Sequence, residues 1–411
     1  VTGPYDILVG IDWATRSHQV CLLSPDGEVL EEACVDHSAE KVHGFIAGLL
    51  RRVNGDAHRV AVAIEIPRGP LVETLLERGI RVYTLNPKQV DRFRDRHSVA
   101  GAKDDRLDAR VLADALRTDL HKFRPVELDE PLIIQIREIS RADEDLREEV
   151  NRLVNRLREQ VQRCAPHLLC LCPAADEPWF WDLVERFTTP GARVTRHQAQ
   201  KLLARHRIRR LSAEAILSTL NEERLWIAPG AAEATRSHIL LLLPRLRMAH
   251  EQRKACARHL KSLLAEYAED EDRASPPNDV ALLLSLPGVG PVVSATLLAE
   301  AAPLLATRNY HAVRALGGLA SVTRRSGRSH VVIMRRGCNS RLRNAFYHWT
   351  RTSIQHDAAA KRYYAGLRAR GHSHGRALRS VADRWLRILM AMLTSATLYE
   401  ARQPRREAAA A

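Results

Sequence analysis

The chain opens with short apolar runs separated by polar turns. "YDILVGIDWA" is one such run, reaching Asp12, and "RVAVAIEIP" is a second, carrying Glu65 near its end. Unbroken apolar runs of this length, bounded by turn residues, predict strands buried on both faces. Between them, "HQVCLLSPDGEVLEEACV" holds two β-prone segments joined by Pro-Asp-Gly, a hairpin signal. A helix over about residues 70–78 leads into a strand at "RVYTLNP". "GAKDDRLDARVLADALR" then predicts a helix with Leu107, Val111, Leu112 and Leu116 on one side. Hairpin strands followed by β-α-β units predict a mixed sheet with helices on its faces over residues 1–125.

The period changes after residue 130. Ile133, Ile136, Ile139, Leu146, Val150, Leu153, Leu157 and Val161 recur at helical spacing among charged residues. This predicts a long amphipathic helix, read as a coiled-coil arm with a self-association seam. "CPAADEPWFW" reads as a break, after which helical patterns resume to residue 269. The polar, Pro-rich "DEDRASPPND" closes an arm-and-linker region spanning 126–279. A mostly helical unit is expected over 280–400, with a tail at 401–411. The fold class expected is therefore α/β plus α.

Composition adds a partner. The 411 residues carry 63 Lys and Arg against 49 acids, a formal net charge of +14. Such an excess fits a polyanion, and nucleic acid before any other. No apolar run reaches the 18 residues a membrane span requires, and no secretion signal is visible, so a soluble, cytoplasmic protein is expected. Seven scattered cysteines argue for reduced thiols. Cys164, His167, Cys170 and Cys172 cluster, but their spacing matches no paired zinc-ligand pattern.

The carboxylates change the picture more. Asp12 and Glu65 each end an apolar run, where an unpartnered carboxylate costs desolvation. Asp105 and Asp108 are three apart on a helix, about 5–6 Å between Cβ atoms, where like charges repel. Four carboxylates gathered at one place would require cations. Oxygen-only ligands suit Mg²⁺ or Mn²⁺, two of which can clamp a phosphodiester.

"VGIDWA", "AIEIPRG", "LNPKQVDRFR" and "AKDDRLDARVLADALR" resemble the DEDD transposases of insertion sequences, a family that includes Piv-type invertases and bridge-RNA-guided recombinases. The resemblance implies an RNase H/RuvC-like first domain with a tetrad at Asp12, Glu65, Asp105 and Asp108, with Lys103 beside it on nucleic acid. This chain has Asp104 where the family usually has Thr or Ser, which leaves a register choice between Asp104 and Asp105. Asp114 and Asp119 read as solvated helix charges.

Residues 280–398 resemble the family's second domain. "LLLSLPGVGPVVSATLLAE" reads as helix, tight turn, helix, with Gly288 and Gly290 permitting close backbone approach. It resembles the helix-hairpin-helix turn that grips DNA backbones. "SVTRRSGRSHVVIMRRGCNSRLR" contains seven arginines and no acid: Arg324, Arg325, Arg328, Arg335, Arg336, Arg341 and Arg343. The family's nucleophilic serine lands on Ser326, with Ser321 and Ser329 ranked below it. The resemblance implies a transposase acting on donor and target DNA, a noncoding guide RNA, and assembly as a dimer or tetramer. The alternative reading is a RuvC-like endonuclease using water as nucleophile.

Overall fold

A computed structural model describes residues 4–97, 104–127, 130–188, 194–222, 226–269 and 278–400. The chain divides into two compact units, Val1–Asp129 and Glu130–Ala411.

In the first unit, β1 (Ile7–Asp12), β2 (Ser17–Leu23) and β3 (Val29–Asp36) form an antiparallel meander, followed by α1 (Ala39–Arg52). Then come β4 (Val60–Ile64), α2 (Pro70–Glu77), β5 (Arg81–Thr84), α3 (Pro87–His97), α4 (Asp105–Asp119) and β6 (Arg124–Pro125). The sheet order is β3-β2-β1-β4-β5-β6, with β1, β4 and β5 parallel to one another. The hairpin turn falls at the Pro-Asp-Gly, where Gly27 takes φ 94° and donates its N–H to the Ser24 carbonyl. Glu65 lies one residue beyond β4.

Both sheet faces are covered, which is why β1 and β4 read as unbroken apolar runs. Ile7, Val9, Ile11, Val60, Val62 and Ile64 pack with Val42, Ile46 and Leu49 of α1 and Leu71 and Leu75 of α2. Leu8, Ala61 and Ala63 point the other way, onto Ala109, Leu112, Ala113 and Leu116 of α4. That approach is unusually close because the sheet is small-residued there. A Cβ on Gly10 would lie 1.9 Å from the Ala109 carbonyl oxygen, so only glycine lets α4 seat.

The second unit begins with α5 (Pro131–Cys164), then α6 (Pro178–Thr188), α7 (Arg196–Arg205), α8 (Ala213–Leu220) and the 41-residue α9 (Pro229–Glu269). Next come α10 (Asp279–Ser285), α11 (Pro291–Ala306) and α12 (Tyr310–Leu316). The hairpin β7 (Ser321–Ser326) and β8 (Ser329–Met334) precedes α13 (Ser340–His356), α14 (Ala358–Ala369) and α15 (His374–Ser395). α5 and α9 run antiparallel: Glu149 pairs with Arg245 at 3.9 Å and Asp143 with Arg253 at 3.4 Å, numbers falling on one helix as they rise on the other.

The pairing takes up the apolar stripe that had suggested self-association. Leu153, Leu157 and Val161 are buried against Ile239, Leu242 and Leu246 of the same chain, together with α6–α8. The "WFW" run, read as part of a break, is that core's centre: Trp179, Phe180 and Trp181 are fully buried on α6. Three adjacent aromatics carry no helical period, so pattern alone could not reveal them. The other end of α5, with Ile133 and Ile136, joins a second core made with α10, α11, α13 and α15. Between the two cores the buried positions turn polar, with Ser140 and Thr296 hydroxyls 3.3 Å apart and Asp143 facing Arg253. Burial pushes the Asp143 carboxyl up, against the opposing pull of Arg253.

Candidate active site

Parallel pairing positions the first two carboxylates. Ile11 of β1 lies beside Ile64 of β4, so Asp12 and Glu65, the next residues, emerge side by side at one end of the sheet. Alternation turns Asp12, the last residue of β1, toward the α4 side, opposite to Ile11, while Glu65 sits at the bend just past β4. The direction of α4 follows from two close approaches. Its later part reaches the β2–β3 turn, where Arg117 lies against Gly27, and its Ala109 lies over Gly10. The start of α4, with Asp105 and Asp108, therefore lies over the ends of β1 and β4. Asp12 and Glu65 are half-buried, Asp105 is exposed and Asp108 is 4% exposed.

Asp104 has different work. It is the N-cap of α4, and its carboxylate accepts the Arg106 N–H at 3.2 Å. Asp108 accepts a 2.6 Å hydrogen bond from Nε of Arg94, on α3. That bond chiefly raises the Arg94 pKa above the ordinary guanidinium value. The sequence pattern does not reveal Arg94, which is one of several arginines in "DRFRDRH" with nothing local to single it out. Asp114 pairs with Arg117 at 2.7 Å. Asp119 is held below the usual carboxylate range by its bond to Lys122. Lys103 lies outside the described residues.

Among the described residues, the one group of three ligating side chains with atoms within 4.8 Å is Cys172, Asp176 and Glu177. The four tetrad carboxylates are brought to one sheet end without being drawn that close. The Cys172 group is already occupied by protein donors, since Glu177 accepts from Trp179 and from Arg210. Cys164, His167 and Cys170 do not join it.

In the second unit, the basic run that carried no strand signal folds as a β-hairpin. Ser326 pairs with Ser329 across a Gly327-Arg328 turn, with Gly327 at φ 51°. Ser326 is exposed, as are Arg324, Arg325 and Arg328. Among the described residues no side chain hydrogen-bonds its hydroxyl. Ser321 lies at the opposite end of β7, and His330 is registered with Arg325.

Of the remaining arginines, Arg341 and Arg343 make contacts within the unit. Arg341 reaches the Arg141 carbonyl and Asp145 of α5, both at 3.5 Å. Arg343 lies 3.9 Å from the Cys338 sulfur, Arg335 has a buried Nε without a partner, and Arg336 is exposed. Gly288 takes φ 82°, and a Cβ there would lie 2.6 Å from the Ser353 backbone nitrogen. The close approach at this glycine is made by α13 of the same unit. Gly290, the N-cap of α11, faces open space.

Residues 9–166 match a family described as Transposase, of the DEDD IS110 type, and residues 280–365 match the Transposase IS116/IS110/IS902 family. The protein y4uE of Sinorhizobium fredii is 46% identical over 232 residues, covering 55% of this chain and 62% of that relative. The mini-circle transposition protein for IS117 of Streptomyces coelicolor is 29% identical over 390 residues, 92% of each chain. The insertion element IS110 43.6 kDa protein of the same organism is 28% identical, covering 98% of each.

Proposed function

Because the chain belongs to the IS110/IS116 family of DEDD-type insertion-sequence transposases, we propose that it cuts and rejoins DNA strands by metal-dependent phosphoryl transfer with Ser326 as nucleophile. The observation that carries the reading is the convergence of Asp12, Glu65, Asp105 and Asp108 at one end of the sheet. A parallel β1-β4-β5 core beside an antiparallel meander, with α4 across one face, supports an RNase H/RuvC-like first unit. The capping role of Asp104 supports Asp105 as the ligand in that register.

The donor set fits Mg²⁺ or Mn²⁺, being all oxygen, and Asp108 is already neutralised by a guanidinium in the place of a cation. Such ions, when bound, polarise phosphoryl oxygens and stabilise charge developing on them. Ser326 Oγ gives up its proton and forms a bond to phosphorus while the bond from phosphorus to a sugar oxygen breaks, and the sugar leaves as a hydroxyl with a proton taken up in exchange for the one the serine released. The resulting phosphoserine ester conserves the bond for rejoining. Arg324, Arg325 and Arg328 would hold and neutralise the phosphates.

The partners proposed are donor and target DNA, a noncoding guide RNA, and further copies of the chain as a dimer or tetramer. The charge of +14 supports the first two, and joining two duplexes requires more than one active site. Sequencing nucleic acid that copurifies from cells carrying the flanking DNA tests the guide. The nucleophile is tested with a substrate that cannot complete rejoining. A protein–DNA adduct that survives denaturant is expected, and Ser326→Ala should remove it. No adduct from any variant would leave the RuvC-like endonuclease with water as nucleophile.

A further inference from the structure

A cleft of about 310 Å³ opens between the base of the β7–β8 hairpin and the first turns of α15, lined by Ser321, Met334, Arg376, Arg379 and Ser380. Arg376 and Arg379 stand three residues apart on the helix, so they share a face with like charges adjacent. Neither makes an ion pair among the described residues. The nearest acceptor to Arg379 is the Met334 sulfur, 3.3 Å from Nη1, and a thioether is a weak one. Burial first, and then the charge of Arg376, pulls the Arg379 pKa below the ordinary guanidinium value.

Two half-buried arginines elsewhere in this unit are ion-paired. Arg308 is paired to Asp279 at 2.7 Å, and Arg247 reaches Asp182 and Glu185 at 2.8 and 2.7 Å. Asp383 and Arg314 also line the cleft, but this acid is already taken by Arg314 at 2.7 Å, Arg387 at 3.1 Å and the Tyr310 hydroxyl at 2.8 Å. The helix terminus adds to the imbalance. α15 begins at Ser373 without a side-chain cap bond and carries no acid in its first turn. Its positive end therefore adds to the field of the two guanidiniums. The cleft is cationic, and no described residue is left over to neutralise it.

We propose that this cleft seats a DNA backbone phosphate, clamped by Arg376 and Arg379. Guanidinium forks match phosphate oxygens bidentately, and two of them beside the Ser321 hydroxyl supply donors on several sides. The cleft lies at one end of β7 and Ser326 at the other, so five strand steps, roughly 16 Å, separate them. A duplex gripped at the cleft would present a phosphate about five base pairs away to the hairpin turn. The site rests on the family's action on DNA, not on Ser326 being the nucleophile.

The test uses the full chain and a fluorescein-labelled duplex titrated at several salt concentrations. Arg376→Gln/Arg379→Gln should weaken binding about tenfold or more for any sequence. It should also flatten the slope of log K against log salt by about one for each phosphate that is no longer neutralised. Arg379→Lys, which keeps the charge but not the fork, should fall between. Arg152→Gln, an exposed residue on α5, should bind like wild type. Thermal melts establish that each variant is folded, and Arg379→Lys keeps the test valid if the double variant is not. Wild-type affinity and slope in a folded double variant would overturn the proposal. So would a weakening confined to structured RNA of equal length. Ser326→Ala should bind DNA normally, so a failed adduct experiment and a failed clamp remain separate results.

Discussion

A carboxylate as enclosed as Asp108, 4% exposed, carries its charge at a tolerable cost only beside a partner, and Arg94 provides one at 2.6 Å. Asp108→Asn is expected to abolish strand cleavage while DNA binding stays within a few-fold of wild type. Full cleavage by the variant, or by wild type in excess EDTA, would remove it from the proposed metal set. His18 offers a second residue-scale test. It is 1% exposed, with Nε2 2.8 Å from His37 Nδ1. Burial, and then the charge of His37, holds its pKa below the ordinary histidine value. The unfolded chain therefore takes up a proton more readily than the fold does. The stability this residue contributes is full above about pH 6.5 and is lost as pH falls through the depressed value. Thermal melts from pH 7.5 to 5 should show a declining midpoint, and His18→Gln should lessen the decline. An identical pH slope in both proteins would show that His18 is not responsible.

At the scale of elements, the α5–α9 pair decides what the arm's apolar stripe is for. An amphipathic helix must bury its stripe, but the pattern does not say against what. Here the partner is in the same chain, and Leu157 is 0% exposed. Leu157→Ala should cost about 2–5 kcal/mol of stability, the range for large-to-small changes in a packed core. The mass of the folded species on sizing should not change. A smaller species with unaltered melting would restore the self-association seam. The hairpin makes the opposite point. β7 and β8 leave Val331, Val332 and Met334 largely exposed, so packing does not dictate their burial pattern, and alternation was not there to be read.

For the whole molecule, charge is the governing quantity. With +14 overall, binding to DNA should be dominated by counterion release. If six or more phosphates are engaged, affinity should fall by about a thousandfold or more between 50 and 200 mM salt. A shallow dependence would mean that few of the arginines touch phosphate. No helix among the described residues is long and apolar enough to cross a membrane.

Sequence alone determined the elements whose signal is local. The buried runs of β1 and β4, the Pro-Asp-Gly turn, the apolar face of α4 and the length of α5 all follow from periodicity and turn chemistry acting over a few residues. The carboxylates were legible for the same reason, since charge at the end of an apolar run and at i, i+3 on a helix is a short-range anomaly. Tertiary structure alone decided the rest. The partner of Asp108, the neighbour of Gly288, the burial of Leu157 and the isolation of Arg376 and Arg379 depend on which distant segment arrives. Side-chain packing and ion pairing act over a few ångströms in space, at separations along the chain that no local pattern records.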